Sequence, residues 1–179
     1  AMASSRKRRI SSASCAASPG RPSGPSPPWL SRTATLAAAG TSAPAFANGV
    51  RGEAFLLDGR GQSVVLPADS LPAPWTVALW VKREDAIDPS AALLSDAVTG
   101  LKLEQFGTAR EVGFTQYGVA DYSFGYTVPA GQWVHLALVA TPTSMSLHVN
   151  GANVANLGGV TLNLPLALVG VRTTGVDRL

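Results

Sequence analysis

The sequence predicts an all-β fold, an antiparallel sandwich or barrel, on three observations. Short runs rich in β-branched and aromatic residues recur along residues 33–179, each bounded by Gly, Pro, Asn or Asp. No window holds the 3.6-residue apolar stripe of a helix over helical length. Turn chemistry also falls where the runs end. Asn150-Gly151 is the clearest case, because both central residues of a type I′ hairpin turn need positive φ.

Eleven strands are expected. ATLAA (34–38), EAFLLD (53–58) and SVVLP (63–67) come first, with Asp58-Gly59 opening a loop that Arg60-Gly61 lengthens. WTVALWVK (75–82) places Trp75 and Trp80 on opposite faces, so at least one of them belongs to the core. AALLS (91–95), LKLEQF (101–106), EVGFTQY (111–117) and YSFGYT (122–127) follow. Pro129-Ala130-Gly131 sets a stop before QWVHLALVA (132–140), which Thr141-Pro142 closes. Both faces of that run are largely apolar, so a strand covered on both sides is expected, with His135 buried beside Trp133. In SMSLHVN (144–150), Met145, Leu147 and Val149 oppose Ser146, His148 and Asn150, which gives one wet face. NLPLALVG (163–170) is the last.

With 179 residues and 46 % hydrophobic content, the chain has length for one domain of ordinary size and the means to pack its core. The pI near 9.4 invites a nucleic-acid reading, but the charge is uneven. Six of the fourteen basic side chains and none of the eleven acids fall in residues 1–32, so the remainder carries a net −3. The body therefore has no basic balance with which to displace counterions from a phosphate backbone. Residues 1–32 are rich in Ser, Pro, Gly and Arg and are expected to be a disordered basic tail, RKRR being a solvated charge run within it. RKRR lacks the apolar segment of a signal peptide, whereas TATLAAAGTSAPAFA (33–47) ends in a small-residue pattern similar to a cleavage site. Cys15 is the single cysteine, which excludes an intrachain disulfide and a cysteine metal cluster. No run of eighteen apolar residues exists, so no membrane-spanning helix is expected.

GQWVHLALVATPTSMSLHVNG (131–151) resembles the laminin G-like, concanavalin A-type signature, in which a Gly-x-Trp-x-His strand leads into one ending Val-Asn-Gly. FANGVRGEAFLLDGRGQSVVLP (46–67) and WTVALWVKRED (75–85) resemble the strands that precede it in that family. The resemblance runs from Thr33 to Leu179 and implies an antiparallel jelly-roll β-sandwich. Such domains usually finish with an acidic Gly-x-Leu-Asp-Glu strand; here the sequence ends at Gly175-Val176-Asp177-Arg178-Leu179, so a domain lacking its last strand is expected. The run 90–124 looks most like modules appended to bacterial secreted glycoside hydrolases, including β-N-acetylhexosaminidases. The resemblance implies a monomeric, non-catalytic carbohydrate- or ligand-binding module of a larger secreted or cell-surface protein. Two alternatives stay open: a fragment of a glycoside hydrolase, and an adhesion module whose partner is an extracellular protein.

Within that frame the candidate ligand residues are Tyr117, Asp121, Tyr122, Phe124 and Tyr126, in FTQYGVADYSFGY (114–126). Tyr122, Phe124 and Tyr126 share a strand face; aromatic rings offer flat apolar surface, a phenol adds a polar handle, and such a row suits stacking on pyranose rings. The same row also suits a core. No cofactor is required, but the resemblance implies a calcium ion as an option, with Asp96, Asp121 and Asn150 as loop-placed oxygen ligands. Catalysis is not expected. Glycosidases need two carboxyl groups at set separations, whereas Glu104 stands alone in LKLEQF, Glu111 opens another strand, and Glu84, Asp85 and Asp88 share a loop. His135 and His148 fall on different strands without a spaced acid. Trp133, His135, Asn150 and Gly151 are therefore assigned structural roles.

Overall fold

The computed structural model describes residues 35–38, 45–57, 62–66, 70–83, 91–105 and 110–170. The basic tail, the Glu84/Asp85/Asp88 loop and residues 171–179 lie outside them. Seven strands form one sheet in the order β1 (Thr35–Ala38), β4 (Gln62–Val65), β13 (Leu168–Val169), β6 (Ala91–Ser95), β7 (Thr99–Glu104), β8 (Gly113–Gln116), β9 (Ala120–Ser123). A second sheet has the order β12 (Ala152–Gly158), β11 (Ser144–Val149), β10 (Trp133–Ala140), β5 (Trp75–Lys82). The hairpin β2 (Ala45–Asn48) and β3 (Glu53–Leu56) pairs on its own. Every strand pair is antiparallel.

Each of the eleven expected strands overlaps an observed one, although the run 122–127 is strand only as far as Ser123 and the run 163–170 only at Leu168–Val169; β2 and β12 are additional. β12 escapes a sequence reading because ANVANLG has neither apolar alternation nor β-branched density. It forms because the Asn150-Gly151 turn delivers it beside β11. The two residues sit at φ 49 and 89, and Val149 pairs directly with Ala152 across them, as the type I′ reading requires. Asn150 also closes the end of β10: its Oδ1 accepts the His135 N–H at 3.0 Å, and its own N–H donates to the His135 carbonyl at 2.8 Å. A β-branched side chain is strained at positive φ, so Gly151→Val is expected to lower the unfolding free energy by about 1–3 kcal/mol. Equilibrium urea denaturation checks this, and a change under a few tenths of a kcal/mol would refute it.

The core lies between the two larger sheets. Leu101, Phe114 and Tyr122 are register partners across β7, β8 and β9 and share the inward face. Phe114 meets Trp75 of the facing sheet at 5.8 Å between ring centroids and Phe124 at 6.5 Å. From the other side come Val134, Leu136, Leu138 and Ala140 of β10, and Met145, Leu147 and Val149 of β11. Each fully buried Leu or Phe contributes roughly 1.5–3 kcal/mol over its exposed state. The buried Trp75 indole donates to the Leu162 carbonyl at 2.9 Å, which satisfies its one polar atom.

One expectation needs correction. β10 is covered on one face only, for its residues alternate half-buried and buried throughout. Val134, Leu136, Leu138 and Ala140 face the core, while Trp133, His135, Ala137 and Val139 are half-exposed outside. His135 is thus not buried; its ring packs on Trp80 of β5 at 5.2 Å. Strands covered on both faces occur instead in the larger sheet. Every residue of β6 and β7 is buried, including the polar Ser95, Thr99, Lys102 and Glu104. At the end of β7 the fully buried Glu104 accepts from Arg83 Nη1 at 2.6 Å. Arg83 follows β5 and also donates its Nε–H to the Val128 carbonyl at 2.8 Å, so one guanidinium ties both sheets and the 124–130 segment together.

Candidate functional site

Register places a group of polar side chains on the face of β7–β9 that points away from the core. Gly100, Thr115 and Asp121 are partners in one row, and Lys102, Gly113 and Ser123 in the next. This face alternates strictly with the Leu101–Phe114–Tyr122 row, as the two-residue period of a strand demands. The loop from β8 to β9, residues 117–119, turns with Gly118 at φ 76. Tyr117 leaves that loop and lies back across the sheet, held by its backbone N–H to the Val98 carbonyl at 2.9 Å. Its hydroxyl end rests over Gly100, where a Cβ would collide with the Tyr117 Oη. The Lys102 ammonium stands 5.9 Å from the Tyr117 ring centroid, within cation–π range. Glycine below and a cation alongside therefore set the position of this ring.

At the outer edge Thr115 donates its hydroxyl to Asp121 Oδ1. Ser123 donates to Glu111 and accepts the Gly125 N–H at 3.0 Å. Gln105 spans the same face and donates to the Phe114 carbonyl at 3.0 Å. Thr115, Gln116, Gly118, Val119, Ala120 and Asp121 line an open depression of about 260 Å³ at the hairpin. Asp121 is exposed there, and Thr115, Tyr117 and Ser123 are half-exposed.

The match to the Laminin_G_3 family model, described as the concanavalin A-like lectin/glucanases superfamily, covers residues 58–175, well over half of the chain. The chain belongs to this family. Its jelly-roll sandwich is similar to domain 4 of AbnA, a GH43 extracellular arabinanase from Geobacillus stearothermophilus solved in complex with arabinotriose. That pair has a TM-score of 0.56 and 22% identity, over 79% of this chain and 73% of the other. A second similar structure is the carbohydrate-binding module CBM66 from Bacillus subtilis, with a TM-score of 0.40 and 15% identity over 70% of this chain and 86% of that one. No curated protein sequence matches the chain significantly. At these identities the structural likeness speaks for the fold.

Within this member of the family, the five candidate ligand residues divide between the two faces of the sheet. Tyr117 and Asp121 stand on the outer face, beside the depression. Phe124 is part of the core, 5% exposed, so its ring is not presented to solvent. Tyr122 and Tyr126 are half-buried and pack against the same core. β9 ends at Ser123, and the chain beyond it folds inward: the Phe124 N–H donates to the Val112 carbonyl at 2.9 Å, and the Tyr126 carbonyl accepts the Val112 N–H at 2.7 Å. Lys102, Thr115 and Ser123, which the sequence did not single out, and Glu111, which it offered only as an isolated acid, complete the outer group. Their signal was present in the alternation Leu-Lys-Leu-Glu (101–104) and Phe-Thr-Gln (114–116), which puts Lys102 and Thr115 opposite buried apolar neighbours.

The three candidate calcium ligands sit on three separate hairpins. Asp96 Oδ1 accepts the N–H groups of Val98 and Thr99, both at 2.7 Å, and so shapes the β6–β7 turn. Asp121 lies on β9, and Asn150 lies in the other sheet, its Oδ1 on the His135 N–H. Among the described residues, no three His, Cys, Asp or Glu side chains gather into a metal-binding group. No helix of the described residues is long and apolar enough to cross a membrane.

Proposed function

We propose that the chain is a non-catalytic carbohydrate-binding module of an extracellular protein, and that it binds glycan on the outer face of β7–β9. The observation that carries this reading is an exposed carboxylate, Asp121, lining an open depression, with the positioned ring of Tyr117 on the same face over Gly100, the far end of the Gly100–Thr115–Asp121 row. A ring braced by Gly100 and Lys102 loses little further freedom on binding, which lowers the cost of ordering. Its apolar face suits the C–H side of a pyranose or furanose. Asp121 and the remaining lone pairs of the Thr115 and Ser123 hydroxyls, whose protons go to Asp121 and Glu111, provide acceptors for sugar hydroxyls. A binding rather than a hydrolytic role is supported by how four carboxylates of the described residues are engaged: Glu104 with Arg83, Glu111 with Ser123, Asp96 with its turn, Asp121 with Thr115.

The similar AbnA domain was solved with arabinotriose, which makes a short neutral oligosaccharide the first ligand to test. Titration calorimetry of the full chain with arabinotriose and a panel of neutral trisaccharides is expected to detect binding. Asp121→Ala is expected to weaken it about tenfold or more, because a hydrogen bond to a charged group is lost. The same titration with calcium and with a chelator reads whether Asp96, Asp121 or Asn150 contribute through an ion. No binding by a folded chain, or binding untouched by Asp121→Ala and Tyr117→Ala alike, would overturn this assignment.

A further inference from the structure

The solvent face of the four-stranded sheet is neither a core nor an ordinary wet surface. Register aligns its outward side chains in rows: Lys82 with Trp133, Trp80 with His135, Ala78 with Ala137 and His148, Thr76 with Val139 and Ser146. β12 extends the last two rows with Asn153 beside His148 and Asn156 beside Ser146. One end is therefore aromatic. Trp80 is 49% exposed, packs on the His135 ring, and has the half-exposed Trp133 on the same face. The far edge is an amide and hydroxyl border, and the small Ala78 and Ala137 make a low floor between them.

The border depends on a backbone irregularity. Residues three apart in a regular strand point to opposite faces, yet Asn153 and Asn156 share one. The β11–β12 register shifts between Leu147 and His148, so that β12 carries one extra residue, Val154, between the two partners. A bulge re-aims side chains in this way, and bulges gather at sheet edges, where β12 lies, as well as beside active sites. The two amides then pair reciprocally at 3.2 and 3.1 Å. Asn153 Nδ2 and Ser146 Oγ both reach His148 Nε2, at 3.5 and 3.3 Å. An amide has two N–H donors and two acceptor lone pairs, so the reciprocal pairing leaves Asn156 with one of each toward solvent.

We propose that this face is a second glycan-binding surface, which takes an extended, neutral polysaccharide chain across the strands. The inference rests on the module's being a glycan binder but not on the β7–β9 site. Charge selects the ligand: the four strands hold no Asp or Glu and a single Lys or Arg, Lys82, at one corner. A polyanion finds no cationic track there. A protein partner would meet a rim of amides where a stable interface concentrates apolar and aromatic area at its centre. A neutral glycan needs what the face presents, indole surface for its C–H faces and neutral donors and acceptors for its hydroxyls. Four strands at about 4.8 Å spacing make the platform roughly 14 Å wide, room for several linked sugars.

The test is native affinity electrophoresis of the full chain in gels containing soluble linear arabinan, xyloglucan, galactomannan or, as the polyanion, polygalacturonate. Retardation by at least one neutral polymer and not by polygalacturonate is expected. Trp80→Ala is expected to weaken it about tenfold, as truncation of an exposed aromatic anchor does; Asn156→Ala is expected to weaken it a few-fold, and far-UV circular dichroism verifies both folds. Asp121→Ala, run alongside, reports on the other face. Retention of full affinity by both Trp80→Ala and Asn156→Ala overturns this inference; if Asp121→Ala then loses affinity, the β7–β9 reading stands alone. Loss in the first two variants supports the inference whatever Asp121→Ala does. No retardation by any neutral polymer, equal retardation by polygalacturonate, or a wild-type dimer in sedimentation that Trp80→Ala abolishes would each overturn it.

Discussion

Glu104→Ala is expected to destabilise the fold by about 3–5 kcal/mol, the cost of leaving one member of a buried ion pair unpaired. The carboxylate is fully buried and its partner, Arg83, is 11% exposed, so water can re-solvate the guanidinium only in part. Arg83 would keep its bond to the Val128 carbonyl but lose the anion that balances its charge. The pair is not an optimal one, since Glu104 Oε2 has no hydrogen-bond partner among the described residues, and a buried acceptor left unmade carries its own penalty. Removing both charges is therefore a different experiment. Arg83→Met with Glu104→Leu is expected to recover most of the loss, because an apolar pair of similar volume avoids both desolvation costs. Urea denaturation of the single and double variants measures this. A loss below about 1 kcal/mol in Glu104→Ala, the range of exposed pairs, would show that water reaches the site.

Phe114→Ala is expected to cost a further large amount, about 3–5 kcal/mol. The ring is fully buried and is the one that touches Trp75 of the facing sheet and Phe124 of the segment after β9. Its removal leaves a cavity under both, and packing of this density collapses only partly into such a space. Thr115, the next residue, points the other way and donates to Asp121, so the same substitution separates stability from recognition. In conditions where Phe114→Ala remains folded, oligosaccharide affinity at the outer face should change far less than stability does. A cost under 1.5 kcal/mol would mean that Tyr122 or Tyr126 swings in to fill the gap.

Much of this structure was legible in the residues themselves, and the reason is local. A two-residue alternation marks a strand, and Gly, Pro and Asn at its ends mark where it stops. That sufficed to locate eleven strands, though not the extent of those at 122–127 and 163–170, and it sufficed for the Asn150-Gly151 turn and for the expectation that Trp75 and Trp80 face opposite ways, which the structure resolves as Trp75 in the core and Trp80 in solvent. What the alternation does not carry is which of two apolar faces is covered. β10 shows this: Val134, Leu136, Leu138 and Ala140 are hardly more apolar than Trp133, His135, Ala137 and Val139, and only the docking of the other sheet chose between them. Tyr122, Phe124 and Tyr126 were ambiguous for the same reason, since a row of rings serves a core and a sugar platform equally well. Tyr117 took its place from contacts distant in sequence, Gly100 below and Lys102 beside it. β12 and its bulge came from the neighbour that β12 pairs with rather than from its own side chains. Local propensity thus determined where strands begin and end, and non-local pairing decided which faces meet water, because a face is buried only by a partner that lies elsewhere in the chain.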